Sequence, residues 1–312
     1  MKERLVIGTR GSKLALWQAN YIAGCLRRRY PGVEVSLQRV MTTGDKILDV
    51  PLAKIGGKGL FTKELETSML SGEIDLAVHS LKDMPTELPE GLTLAAITER
   101  VDPGDALISP RYGSVDALPE GARVGTSSLR RKAQLLHYRP DLMISDLRGN
   151  LDTRLNKLES EQLDAIVLAV AGLKRLGWQD RITQVLPVSL CLPAVGQGAL
   201  AIETRSDDSA LLAMLKFLDD EKTRLAVIAE RAFLREVEGG CQVPVGVYGT
   251  ARNHMVLLEA IILTVDGVRV VRDSIEDSIQ GEERRAEALG RILARRMLDA
   301  GGREIMAGLE GW

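Results

Sequence analysis

The sequence predicts an α/β protein in which two related α/β domains precede a small C-terminal α+β domain. A strand, a polar turn and an amphipathic helix follow one another from Arg4, and the same order recurs over residues 122–138. Two further stretches also match, IDLAVHSLK at 74–82 and LDAIVLAVAGLK at 163–174. Because these matches are short, chance similarity is the alternative to a shared architecture. After Asp219 the alternation of strands and helices gives way to another pattern.

The first elements are an apolar strand at 4–8 and a helix that begins at about Lys13. Apolar spacing predicts an inward-facing stripe on this helix. The stripe comprises Leu14, Trp17, Tyr21, Ile22, Cys25 and Leu26. The cations of RRRY at 27–30 predict the end of the helix, because positive charge is favoured at a helix C-terminus. The glycine-rich segment KIGGKGLFTKEL at 54–65 favours an exposed loop, with a mobile lid as the functional alternative.

Proline and glycine mark the places where the chain passes between domains. VDPGDA at 101–106 is typical of a linker after the first α/β domain. LPVSLCLPAVGQGALAIE at 186–203, which is also rich in proline and glycine, predicts a second crossing.

The C-terminal part combines helices with a hairpin. An apolar helix containing Leu225 runs to Gly239, and Asp266-Gly267 favours a tight turn between two strands. A charged helix from about Glu282 completes the predicted α+β domain.

Composition argues against several classes of function. Lys and Arg number 41 against 43 Asp and Glu, so nucleic-acid binding is not expected. The sequence has no phosphate loop and no GxGxxG turn, which argues against a nucleotide cofactor. The three cysteines form no CxxC and the three histidines are scattered, so no metal site is expected. Cys25 and Cys191 lie in apolar stretches and are interpreted as buried.

The N-terminal residues contain no secretory signal pattern, and no apolar run is long enough to span a bilayer. We therefore expect no membrane association and a cytoplasmic location.

Arginines and hydroxyl groups recur where predicted strands give way to helices. The set comprises Arg10, Ser12, Thr126, Ser128, Arg130, Arg131, Arg148, Arg154 and Arg175. Helix N-termini bind anions through free N–H groups, and guanidinium groups pair with carboxylates. Any one of these arginines alone is best interpreted as a solvated surface residue. The set together predicts an anion site suited to a polycarboxylate.

Two other side chains could take part in a chemical reaction. Asp83 follows a predicted strand and could transfer protons or stabilise a cation, although an exposed Lys82–Asp83 ion pair is the simpler interpretation. Cys241 follows Gly239-Gly240, a predicted helix end, and so lies on a loop. A loop thiol held near cations is a useful nucleophile, and no histidine partner is evident in the sequence.

Six stretches together resemble the porphobilinogen deaminase (hydroxymethylbilane synthase) family, in the family's order and over nearly the whole chain. They are IGTRGSKLALWQA, HSLKDMP, VGTSSLRRKAQL, LRGNLDTRL, LPAVGQGALAIE and EGGCQVPVG. The resemblance implies two domains similar to type II periplasmic binding proteins and a third, small α+β domain. The implied boundaries are 1–100 with 200–218, 105–195, and 220–312.

The resemblance also implies a dipyrromethane cofactor joined by a thioether to Cys241. The implied reaction joins four porphobilinogen molecules head to tail, releases ammonia each time and frees hydroxymethylbilane by hydrolysis. A monomer without nucleic-acid or membrane partners is implied as well.

Site residues follow from the matched motifs. Asp83 is the implied catalytic residue, and Lys58 is implied to lie on the lid. The implied cofactor-binding residues are Cys241, Ser80, Lys82, Asp83, Thr126, Ser128, Arg130, Arg131, Arg148 and Gly149. The implied substrate-binding residues are Arg10, Ser12, Gln18, Arg148, Arg154, Arg175 and Gln197.

The rival hypothesis is a non-catalytic solute-binding or sensor module of the same two-domain fold that clamps a carboxylate ligand. It accounts for the arginines but not for Cys241 or Asp83. A nucleic-acid binder is a more distant alternative, given the net charge of −2.

Overall fold

The computed structural model describes residues 2–46, 60–237 and 243–309. The strands are β1 Arg4–Thr9, β2 Glu34–Arg39, β3 Leu76–Ser80, β4 Leu92–Ile97, β5 Asp105–Ile108, β6 Arg123–Gly125, β7 Met143–Ser145, β8 Ala165–Ala169, β9 Gln184–Val185, β10 Leu200–Arg205, β11 Val245–Arg252, β12 Met255–Leu263 and β13 Val270–Ser278. The α-helices are α1 Lys13–Arg29, α2 Thr43–Lys46, α3 Lys63–Leu70, α4 Leu129–Tyr138, α5 Leu151–Ser160, α6 Val170–Arg175, α7 Ser209–Leu215, α8 Glu221–Glu236, α9 Glu283–Met297 and α10 Arg303–Ala307.

The chain divides into two compact units. Unit 1 comprises Met1–Arg100 and Ala199–Asp220, and unit 2 comprises Val101–Gly198 and Glu221–Trp312. The chain therefore passes between the units three times. The first passage adjoins the predicted linker, the second lies inside the predicted second crossing, and the third follows Asp220. Residues 221–312 share a unit with 101–198, because the hairpin between β12 and β13 packs on α4.

Unit 1 is built on a five-stranded sheet of order β2-β1-β3-β10-β4. Strand β1 is parallel to β2 and β3, whereas β10 is antiparallel to β3 and β4. The chain thus returns to this sheet after the second crossing. Leu5, Ile7 and Leu76 of the sheet pack against Ile22 and Leu26 of α1 in one apolar core.

Unit 2 contains a second sheet of the same form, with the order β7-β6-β8-β5-β9. Strand β6 is parallel to β7 and β8, whereas β5 is antiparallel to β8 and β9. Strands β1 and β6 take equivalent places, as do β3 and β8. The two sequence matches fall on these strand pairs, so a shared architecture explains them better than chance.

The C-terminal part of unit 2 is a three-stranded antiparallel sheet, β11-β12-β13, covered by α8 and α9. Phe233 and Leu289 belong to its core. The two helices approach closely at Gly290, where an added Cβ would lie 2.1 Å from the Ala229 carbonyl oxygen. The predicted fold class is confirmed: two α/β domains are followed by a small α+β domain.

Three sequence expectations need correction. Tyr21 is 47% exposed and stacks on Trp17 at 5.3 Å between ring centroids, and Cys25 is only half-buried. Small residues such as Ala19 and Ala23 pack on the sheet instead, so the true stripe is rotated around α1. The predicted linker at 101–106 is shorter, because Asp105 already belongs to β5.

Strand β11 was not predicted; its glycines weaken the strand pattern. The other C-terminal elements α8, α9 and the turn at Gly267 occur where the sequence places them. The predicted helix end at Gly239-Gly240 lies outside the described residues. In the part of the chain that the structure describes, no helix is both long and apolar enough to cross a membrane.

Candidate active site

The N-terminus of α1 carries the first predicted site residues of unit 1. Ser12 caps this helix and accepts a hydrogen bond from the Ala15 N–H at 3.2 Å. The Arg10 guanidinium lies 4.1 Å from the centroid of the Phe61 ring. Gln18 is buried and donates to the Ser80 hydroxyl at 2.8 Å. Gln18 therefore fixes Ser80, which ends β3.

Asp83 closes a single 3-10 turn, Leu81–Asp83, directly after β3. Leu81 anchors the turn, because its side chain is 1% exposed and its N–H donates to the Ala199 carbonyl at 3.1 Å. Asp83 is exposed and Lys82 is half-buried. An accessible carboxylate on a fixed strand end can exchange protons or stabilise a positive charge.

The N-terminus of α4 brings together four predicted residues of unit 2. Ser128 caps the helix and accepts from the Arg131 N–H at 3.4 Å. The buried Thr126 hydroxyl accepts from the Ser128 N–H at 3.2 Å. The two hydroxyls thus shape the turn that leads into Arg130 and Arg131.

Arg130 and Arg131 meet a buried aspartate that the sequence analysis missed. The Arg130 Nη1 donates to Asp105 Oδ2 at 2.7 Å, and Arg131 Nη2 donates to Asp105 Oδ1 at 2.7 Å. Arg130 and Arg131 are 5% and 4% exposed, and Asp105 is fully buried. Burial alone would raise the pKa of Asp105, but the two guanidinium groups outweigh it and hold that pKa well below its usual range.

Gln197 belongs to the same cluster. Its buried amide nitrogen donates to Asp105 Oδ1 at 3.0 Å and to the Pro103 carbonyl at 2.6 Å. It therefore ties the second crossing to the first. Arg175 also contacts the second crossing, since its Nη2 donates to the Gly198 carbonyl at 2.7 Å. Arg175 lies at the end of α6 and not at a helix N-terminus, which corrects the sequence expectation.

The loop before α5 holds the remaining pair of arginines. Arg154 is inside the helix and donates from Nε to the Gly149 carbonyl at 2.8 Å. Arg148 precedes the helix, whose N-cap is Asn150, and so lies in the turn between β7 and α5. The Arg148 Nη1 is buried and has no hydrogen-bond partner among the described residues.

These features meet the requirements of an anionic ligand. A buried guanidinium nitrogen without a partner is costly unless an acceptor reaches it. The cluster of Arg130, Arg131 and Asp105 carries two positive charges against one negative charge. The residues present therefore fit a group that carries carboxylates. Lys58 and Cys241 lie outside the described residues.

Unit 1 holds a second cluster that the sequence analysis did not identify. His79 Nε2 lies 3.0 Å from Glu203 Oε2, and both side chains are buried. Glu203 lies 124 residues from His79, so no local sequence pattern pairs them. His79 directly precedes Ser80 on β3, and Glu203 lies on the neighbouring strand β10.

Comparison with known proteins places these residues in a family context. Among solved structures, the methionine binding protein MetQ aligns with 74% of this chain and 94% of its own, at a TM-score of 0.46 and 16% identity. The family model described as "Porphobilinogen deaminase, dipyromethane cofactor binding domain" matches residues 5–213. The model described as "Porphobilinogen deaminase, C-terminal domain" matches residues 224–299.

Two bacterial relatives cover nearly the whole chain. The porphobilinogen deaminase of Pelotomaculum thermopropionicum is 55% identical over 306 residues, which are 98% of this chain and 97% of the relative. That of Geobacter sulfurreducens is 55% identical over 304 residues, which are 97% of this chain and 94% of the relative. From the family models and these relatives we conclude that the chain belongs to the porphobilinogen deaminase family.

Proposed function

We propose that this protein is a transferase that condenses four porphobilinogen molecules head to tail, with release of ammonia, into hydroxymethylbilane. The observation that carries the proposal is the match of residues 5–213 to the cofactor-binding domain of the family. The buried pair of arginines in that domain, opposed by one aspartate, supports it. The substrate and product carry acetate and propionate groups, which need such cations.

The protein would hold a dipyrromethane cofactor through a thioether to Cys241. The other groups proposed to hold it are Ser80, Lys82, Asp83, Thr126, Ser128, Arg130, Arg131, Arg148 and Gly149. When bound, this cofactor supplies a pyrrole carbon to which the first substrate unit is joined. The net positive cluster and the partnerless Arg148 nitrogen support the carboxylate contacts.

Asp83 is proposed as the catalytic residue. Loss of ammonia from porphobilinogen leaves a cationic, azafulvene-like species, which a nearby carboxylate stabilises. The same carboxylate can accept the proton that the pyrrole loses when the new bond forms. The exposed position of Asp83 on a turn fixed by Leu81 supports both roles.

The incoming substrate is proposed to bind through its carboxylates. The residues assigned to it are Arg10, Ser12, Gln18, Arg148, Arg154, Arg175 and Gln197. Guanidinium groups suit this role because they pair with carboxylates through two hydrogen bonds. Buried Gln18 and Gln197 would act by holding Ser80 and the Asp105 cluster in place. A cytoplasmic, monomeric state stays a prediction.

The direct test is turnover. Purified protein is incubated with porphobilinogen, and ammonia and linear tetrapyrrole are measured together. The proposal expects about one ammonia per pyrrole incorporated. Binding of porphobilinogen without ammonia release would instead favour the non-catalytic solute-binding hypothesis.

A further inference from the structure

Cys191 is a buried thiol inside the arginine cluster of unit 2, and the proposed reaction gives it no role. Its Sγ lies 3.3 Å from Asp105 Oδ2 and 3.5 Å from Arg130 Nη1, and the side chain is 0% exposed. The Leu192 carbonyl accepts from the same Arg130 nitrogen at 2.6 Å. The thiol therefore touches both the buried anion and one of the two cations.

The charge of this cluster depends on the protonation of Cys191. Burial, followed by the nearby negative charge of Asp105, raises the pKa of the thiol to about 12. At neutral pH the group is thus a neutral donor to Asp105. A thiolate would neutralise the second guanidinium, whereas a thiol leaves the cluster with one excess positive charge.

Asp105 is surrounded by donors. It accepts hydrogen bonds from Arg130, Arg131, Gln197 and Cys191. Its four partners hold the carboxylate in one orientation, and this orientation in turn fixes the two guanidinium groups. A residue of this kind positions the arginines without touching a ligand itself.

We propose that Asp105 and Cys191 are positioning residues that set the charge of the Arg130–Arg131 pair, so that it retains one positive charge for a single ligand carboxylate. This inference rests on the proposed function, because the ligand is taken to be the carboxylate-bearing dipyrromethane. It predicts that one added negative charge at the thiol position slows loading, whereas an uncharged group of the same size does not.

The matched pair is Cys191→Asp and Cys191→Asn, which differ in one charge and little in shape. Apoprotein from a host that cannot make porphobilinogen is incubated with porphobilinogen, and the fraction of chains that gain covalent mass is followed by intact mass spectrometry. We expect Cys191→Asp to load about tenfold more slowly than Cys191→Asn, in line with the loss of a charge-assisted contact. The difference should shrink at acidic pH, because protonation removes the added charge.

Cys191→Ser keeps a donor to Asp105 and should restore loading to near the wild-type rate. Asp141→Asn is the control, since it breaks a half-buried 2.7 Å pair with Arg139 in the same unit. If either Cys191 variant does not melt cooperatively, Gln197→Glu adds a negative charge to the same cluster and is expected to slow loading similarly.

Equal loading of folded Cys191→Asp and Cys191→Asn, at every pH, would overturn this inference. So would a Gln197→Glu protein that loads as fast as wild type. Failure of the wild-type apoprotein to gain mass would instead count against the proposed function, so the two failures are distinguishable.

Discussion

The Asp83 carboxylate has no role in holding the fold among the residues that the structure describes. It is exposed, and it makes no hydrogen bond or ion pair with the residues that the structure describes. The turn that carries it is held by Leu81, through burial and through the bond to Ala199. Replacing Asp83 should therefore change chemistry and not stability.

Asp83→Asn is expected to lower kcat by roughly a hundredfold or more, because it removes a preorganised negative charge beside a cationic species. The melting temperature should stay at the wild-type value. Glu90→Gln is the control, since Glu90 is also exposed and follows the same turn. Turnover of Asp83→Asn within a few-fold of wild type would contradict the assigned role.

Glu66 is a buried carboxyl close to the His79–Glu203 pair. Its Oε1 and the Oε1 of Glu203 are buried without hydrogen-bond partners among the described residues. Burial raises the pKa of Glu66, and repulsion from the neighbouring Glu203 carboxylate adds to the rise. The folded protein therefore binds this proton more tightly than the unfolded chain does.

The sign of the pH dependence follows from that shift. The protonated Glu66 carboxyl contributes its full stabilisation of the fold at pH values below the pKa of a glutamate in the unfolded chain. This contribution is lost as the pH rises through the raised pKa of Glu66 in the folded protein. Glu66→Gln cannot lose a proton, so its stability relative to wild type should increase from mildly acidic to mildly alkaline pH. Thermal melts across that range measure it, with Glu90→Gln as control. A pH-independent difference between Glu66→Gln and wild type would show that Glu66 does not titrate as inferred.

The loop that leads into α5 depends on one glycine. Gly149 has a φ of 111°, and an added Cβ would lie 2.6 Å from Thr153 Cγ2. Its carbonyl accepts from Arg154, and it follows Arg148 directly. A side chain at this position would disturb the backbone between the two arginines.

Gly149→Ala should therefore slow chain elongation and destabilise the fold by more than the control Gly121→Ala. Gly121 also has a positive φ, 72°, but an added Cβ would meet nothing within 4 Å. The control should lose only about 1–2 kcal/mol through backbone strain. Urea melts and mass spectra of enzyme given limited porphobilinogen separate the two effects. Equal behaviour of the two variants would contradict the steric argument.

Local signals predicted many of the elements. Ser12 and Ser128 were placed at helix starts and are the N-caps of α1 and α4. Helix ends, the Gly267 turn and the strands that open each sheet also follow from short patterns. Tyr21 was placed wrongly because apolar spacing alone cannot tell large side chains at the edge of a stripe from small ones that pack on a sheet.

Partners distant in sequence could not be predicted in this way. Asp105 meets Arg130 and Arg131 only because β5 and α4 belong to the same domain of unit 2, and no spacing rule links these positions. Likewise, β10 lies between β3 and β4, which brings Glu203 to His79. The candidate site residues could be named from the sequence. Which of them pair, and how deeply they are buried, could not be predicted, because both depend on the three-dimensional fold.

Each unit contains one of two sheets of the same form, and each carries some of the groups that we propose to bind carboxylates. Under this proposal, these groups serve a covalently bound, carboxylate-bearing primer on Cys241. Without such a primer, the arginines and Asp83 would fit a non-catalytic solute-binding protein equally well.

The intact mass of protein purified from a porphobilinogen-making host tests this claim most directly. We expect wild type and Cys25→Ser to exceed their sequence masses by one dipyrromethane unit, and the excess to survive denaturation and mild thiol reductants because a thioether is covalent. Cys241→Ser should lose both the excess and most activity, since a hydroxyl is a poorer nucleophile without an adjacent base. A wild-type mass equal to that of the bare sequence would contradict the account.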